Sequence, residues 1–224
     1  MSRLDSPARR ILAALLPALL YLVLDAAVQA GLRAGGLPPA LCTLIAALPL
    51  AFAALVWYRR RMPPRQEAIP TPGAVCVWVL FALGFSAALQ LLPGARAAGD
   101  TGLLPIAAYA FAAPAAEELV YRGLVFRRGE ALVGRGWALA FSSLLFAAGH
   151  GWPGALPALF LGLVLGLLTD KEQSLVPPLI VHILVNLMSY IWPLVPLPVF
   201  CSALGAAVSL AVFVRLVLRP GEGR

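Results

Sequence analysis

Long apolar runs, separated by short clusters rich in Arg, Pro and Gly, alternate along the whole 224-residue chain. They cover about 11–32, 38–58, 73–92, 102–126, 137–149, 155–168, 177–192 and 197–218. A helix needs roughly 20 apolar residues to cross a bilayer core of about 30 Å, so the pattern predicts about eight spans. The fifth and sixth runs are the shortest. Turn-forming residues mark most joints: Pro38-Pro39, Pro63-Pro64, Pro93-Gly94, Pro153-Gly154, Pro177-Pro178 and the prolines of 193–198. The expected fold is all-α, a polytopic transmembrane helix bundle. No long polar linker, internal repeat or low-complexity tract divides it, so 1–224 is read as a single integral-membrane domain.

Composition strengthens this reading. The chain is 61% hydrophobic and 12% charged, with a mean hydropathy of +0.89. A soluble domain is closer to a quarter charged. The net charge of +7 would suggest nucleic acid in a soluble protein. Here the cations stand in short clusters between apolar runs, without a basic face or interleaved aromatics, so no nucleic-acid partner is expected. With the N-terminus inside, every Lys and Arg except Arg33, Arg96 and Arg122 falls at the inner side. That is the asymmetry of the positive-inside rule, and it places both termini in the cytoplasm. The Arg-, Ala- and Pro-rich, Lys-poor composition is that of a high-GC bacterium, which makes the inner (plasma) membrane the expected location.

The N-terminus carries a second possible reading. Arg9-Arg10, an apolar run and then Val28-Gln29-Ala30 resemble a cleaved signal peptide. The run is long for that purpose and contains Asp25, which favours an uncleaved first helix. Cys42, Cys76 and Cys201 each lie inside apolar runs, in no zinc or redox spacing, and read as small buried hydrophobes.

Charged and polar groups at membrane depth cost several kcal/mol and mark function. Glu117, Glu118 and Arg122 lie in the fourth run, His150 at the end of the fifth, and His182 with Asn186 in the seventh. In a helix Glu118 and Arg122 are i and i+4 and can pair. Glu117 lies about 100° around the helix, so one arginine does not serve both carboxylates. The reading divides their work: Glu118 with Arg122 is structural, and Glu117 is free for chemistry. A buried salt bridge with a spare carboxylate fits the same spacing. His182 and Asn186 also share a face, and both can donate to one point, as an oxyanion hole requires. Hydrogen bonding that glues helices together fits them too. Together, the carboxylate, two imidazoles and an amide suit water attack on a peptide carbonyl.

At these residues the chain resembles the CPBP intramembrane proteases, which include the type II CAAX prenyl endopeptidases and Abi proteins. The family's three motifs, Glu-Glu-x-x-x-Arg, Phe-x-x-x-His and His-x-x-x-Asn/Asp, read here as Glu117-Glu118-Leu119-Val120-Tyr121-Arg122, Phe146 with His150, and His182-Ile183-Leu184-Val185-Asn186. The motif-bearing catalytic core is 102–192. The resemblance implies that Glu117 and His150 activate water and that His182 and Asn186 hold the oxyanion. Glu118, Arg122 and Phe146 are support, and the site opens toward the cytoplasm. The implied partners are the lipid bilayer and a protein or peptide substrate with a membrane-associated or C-terminal segment.

No cofactor is expected under this reading. A zinc site of Glu117, His150 and His182 is the metal alternative, although no HExxH is present. A non-enzymatic immunity or partner-binding membrane protein is the alternative from another class. One spacing is awkward. Measured from the inner ends of their runs, Glu117 lies about 15 Å in, His182 about 8 Å and His150 about 21 Å. For the three to meet, the fifth helix must tilt or begin later.

Overall fold

The computed structural model describes residues 6–61, 70–92, 101–195 and 197–218. Arg3, Arg65, Arg96, Arg219 and Arg224, the joints Pro63-Pro64 and Pro93-Gly94, and Pro196 lie outside the described residues. All eight expected helices are present, and no strand occurs among the described residues. They are α1 (Pro7–Ala34), α2 (Pro39–Arg61), α3 (Pro72–Leu89), α4 (Leu103–Val133), α5 (Arg135–Ala148), α6 (Ala155–Glu172), α7 (Val176–Ile191) and α8 (Val199–Leu218). Their starts follow local chemistry. The Ser6 and Thr71 side chains accept from the backbone N–H of Arg9 and Ala74, and a proline follows each cap.

Among the described residues six helices are long and apolar enough to cross a membrane: α1, α2, α3, α4, α7 with its extension to Leu194, and α8. The other two form a hairpin. α5 has 14 residues, about 21 Å of helix, short of a bilayer core. α6 ends in Asp170-Lys171-Glu172, and Asp170 pairs with Arg135 at 2.6 Å across the hairpin base. The hairpin tip, 149–154, is largely exposed, with Trp152 at 80%.

α4 is the central helix and packs against α1, α2, α5, α6 and α7. α3 lies between α7 and α8. A Cβ on Gly205 would sit 2.5 Å from the Gly84 carbonyl oxygen, so α3 and α8 cross with backbones in contact. The core between the helices is mainly Ala, Val and Leu, with aromatic rings set among them. Phe85 stacks on Phe81 and on Phe160, each at 5.7 Å, while Tyr121 meets Tyr21 and Phe146 edge-on.

α4 runs to Val133 and not to 126 as its apolar run suggested; it stops at Gly134, whose φ is +84°. Arg127, Arg128 and Glu130 end the run of apolar residues but not the helix. Glu117 is therefore about 24 Å from the end of α4, and His150 about 22 Å from the start of α5. His182 arrives by another route. A Cβ on Gly123 would meet Leu175 at 3.4 Å, so α7 begins beside Gly123, ten residues up α4. The awkward depths are resolved by helix length and a raised turn.

Two stretches of α4, Ile106–Ala112 and Glu118–Arg127, are π-helical. Pro114 accounts for the first, because it has no N–H and its ring crowds the carbonyl four residues back. π segments inside α-helices are frequent at functional sites.

Candidate active site

The closed side of the site is built on Glu118. It is fully buried and its Oε1 accepts from Arg122 Nη1 at 3.1 Å, an ion pair inside the bundle. Arg122 also donates to the Gly162 carbonyl of α6 at 3.2 Å, and its guanidinium lies 4.5 Å above the Phe146 ring of α5. A single arginine thus ties α4 to both arms of the hairpin. Ser142 of α5 donates to the Tyr121 carbonyl at 2.9 Å, which satisfies one backbone acceptor within the second π segment.

Glu118 has a second partner that helix spacing did not show. Its Oε1 also meets His182 Nδ1 at 2.8 Å. A carboxylate beside Arg122 accepts, so Nδ1 carries the proton and the ring orientation is set. The other ring nitrogen, Nε2, then lies 3.6 Å from Oε2 of Glu117. Phe146 packs edge-on against the same ring at 5.4 Å. His182 is thus clamped between two adjacent glutamates. Glu117, unlike Glu118, keeps a fifth of its side-chain surface accessible.

His150 sits at the hairpin tip and is exposed. Its Nδ1 donates to the Phe146 carbonyl at 2.9 Å, since a carbonyl can only accept. Nε2 therefore presents a lone pair. His150, His182 and Asn186 line one cavity of about 420 Å³ between α3, α7 and the hairpin tip.

Asn186 is held by a device that sequence reasoning missed. Its Nδ2 donates to the Tyr109 carbonyl at 2.8 Å. That carbonyl is available because of Pro114. The Ala113 N–H bonds to the Ala108 oxygen in the π pattern, and residue 114, the next π partner for Tyr109, is a proline without a donor. The signal was present in the sequence as a proline in mid-helix.

All the expected site residues gather around α4 and the cavity: Glu117, Glu118 and Arg122 from α4, Phe146 and His150 from α5 and its end, His182 and Asn186 from α7. Among the described residues no group of three or more His, Cys, Asp or Glu is placed to hold a metal ion, the set Glu117, His150 and His182 included. No curated protein and no solved structure matches the chain. Residues 99–188 do match a family model, that of the type II CAAX prenyl endopeptidases, Rce1-like. The match spans all three motifs and bears out the resemblance seen in them: over these residues the chain is similar to the Rce1-like peptidases.

Proposed function

We propose that the protein is an intramembrane glutamate-type endopeptidase. It hydrolyses a peptide bond in a membrane-associated or C-terminal segment of its substrate. The observation that carries this reading is His182 clamped between Glu118 and Glu117. That arrangement supplies one carboxylate to orient the imidazole and another, partly accessible, to handle a proton.

In the proposed reaction Glu117 takes a proton from water while Nε2 of His150 orients it, and the water oxygen bonds to the carbonyl carbon. The resulting oxyanion is met by His182, held in place by Glu118, and by the Asn186 N–H that does not serve Tyr109. Glu117 then delivers its proton to the amide nitrogen as the C–N bond breaks, leaving a carboxyl and an amine. Glu118 and Arg122 touch no reacting atom and act by positioning. The cation-rich end of the bundle faces the cytoplasm of a bacterial cell, with both termini on that side.

The test compares membrane-protein termini in cells carrying the wild type or Glu117→Gln. New termini confined to the wild type support the reading, and identical sets of termini refute it. The reaction uses only these side chains and water, so chelation should leave turnover unchanged. Turnover lost to a chelator and restored by zinc would favour the metal reading instead.

A further inference from the structure

The end of α2 lies against the last turns of α4, and both stretches are rich in arginine. α2 finishes in Trp57-Tyr58-Arg59-Arg60-Arg61, and Arg127-Arg128 belong to α4. A Cβ on Gly123 would meet the Tyr58 ring at 3.2 Å, so the two helices are in close contact there. Arg127 Nη1 donates to the Tyr58 hydroxyl, and the Arg128 guanidinium lies 5.4 Å from the centre of the Trp57 ring. Two neighbouring rings of α2 thus hold two neighbouring cations of α4. Arg59 and Arg60 come next in the chain, and both are exposed.

These contacts gather positive charge without neutralising it. Among the described residues no acid pairs with Arg59, Arg60 or Arg127. The other cations drawn into the bundle are treated differently: Arg122 has Glu118, and Arg135 has Asp170. Arg127 has a phenol in place of a carboxylate, and its Nη2 is buried with no hydrogen-bond partner. A partly buried charge without a counter-charge is costly, and an anion held nearby offsets part of that cost. The surface beside the cluster is apolar. Leu48, Phe52 and Arg59 share one face of α2, and Leu48 and Phe52 are exposed. Trp and Tyr at the end of that face favour the headgroup layer of a bilayer.

We propose that the ends of α2 and α4 form a binding site for an anionic phospholipid, its phosphodiester on Arg59 and Arg60 and an acyl chain along Phe52 and Leu48. Phosphate oxygens accept and guanidinium groups donate, often through paired bonds. Basic pockets between membrane helices hold such headgroups. A zwitterionic lipid offers the same phosphate but adds a cation, which the cluster repels. The site is the same whichever face of the membrane this end meets, and it does not depend on the protease reading. Its effect on the chain falls on α4. Arg127 is the last residue of the π segment that begins at Glu118, and Gly123, against Tyr58, lies within it. A bound anion lowers the repulsion between the two helix ends, so the occupied protein is the more stable one.

The test follows the melting temperature of the full-length protein in dodecyl maltoside micelles as phosphatidylglycerol or phosphatidylcholine is added. Phosphatidylglycerol should raise it saturably and phosphatidylcholine should not. No rise with phosphatidylglycerol, or an equal rise with both lipids, overturns the proposal. In Arg59→Gln/Arg60→Gln, where both changed side chains are exposed, the phosphatidylglycerol titration should move to about 25-fold more lipid, roughly fivefold for each cation at a charged surface. Lys171→Gln/Arg215→Gln removes the same charge from α6 and α8 and should leave the titration in place. An unmoved titration in the first variant, or an equal move in both, would mean that no site exists at the end of α2. Sodium phosphate at matched ionic strength distinguishes the source of the anion. A rise as large as that from phosphatidylglycerol would assign the cluster to soluble phosphate and overturn the lipid, whereas no rise supports it.

Discussion

Glu117 and Glu118 are neighbours on one helix, yet they occupy different regions. The Glu118 side is closed: Arg122, Gly162, Phe146 and His182 surround a carboxylate with 2% of its surface exposed. The Glu117 side is open by a fifth and meets the far nitrogen of His182 at 3.6 Å. In the proposed mechanism the same functional group is a structural anchor in one setting and a proton acceptor in the other, and the neighbours decide which. His182 joins the two regions, with one ring nitrogen in each.

The largest effect expected on this comparison is at Glu117. Glu117→Gln keeps size and polarity, so thermal stability in detergent should match the wild type while cleavage falls by about 10² to 10⁴, the reach of a positioned general base. His150→Ala should behave alike. Near-wild-type cleavage by Glu117→Gln would end the proposed mechanism. On the closed side the order reverses. Arg122→Ala takes the arginine from a buried carboxylate and leaves it His182 alone, which should cost about 3–5 kcal/mol of stability, read as a lowered melting temperature and less folded protein. Replacing Glu118 and Arg122 together with neutral residues should regain part of that stability but not turnover, because His182 loses the carboxylate on Nδ1. Recovery of both would show that Glu118 serves Arg122 alone.

Smaller effects sharpen the boundary. Asn186→Ala should slow cleavage by about 10² to 10³, the range for one oxyanion donor, with KM little changed. Ser142→Ala removes the donor to Tyr121 and should cost about 1 kcal/mol, visible as a modest fall in melting temperature with the cleavage rate retained. A rate loss larger than the stability loss would mean that the π segment tunes the site directly.

Much of this was legible in the sequence. Eight apolar runs became eight helices, and three spaced motifs converged, because hydrophobic length and helical spacing are local properties. What stayed hidden depends on partners far along the chain. Spacing within α4 shows that Glu118 can reach Arg122, but only the packing of α7 brings His182 onto the same oxygen. The carbonyls of Gly162, Tyr121 and Tyr109 leave no mark on side-chain patterns, since every residue has one. The end of α4 was misplaced by seven residues because charge marks where apolar sequence stops, while Gly134 marks where the helix does.

Pro114 makes two positions of the chain interdependent. The family motif accepts Asn or Asp where this chain has Asn186, as though the two were equivalent. Beside Tyr109 they are not, because the carbonyl left without a partner by the proline can only accept, and an ionised Asp can only accept as well. Asn186→Asp, a conservative exchange by the motif, therefore places two acceptors face to face in this protein and should be tolerated less well than its chemistry suggests. Pro114→Ala would supply the absent backbone donor and relax that demand. The permitted residue on α7 is thus set by a proline on α4, seventy-two positions away in the chain.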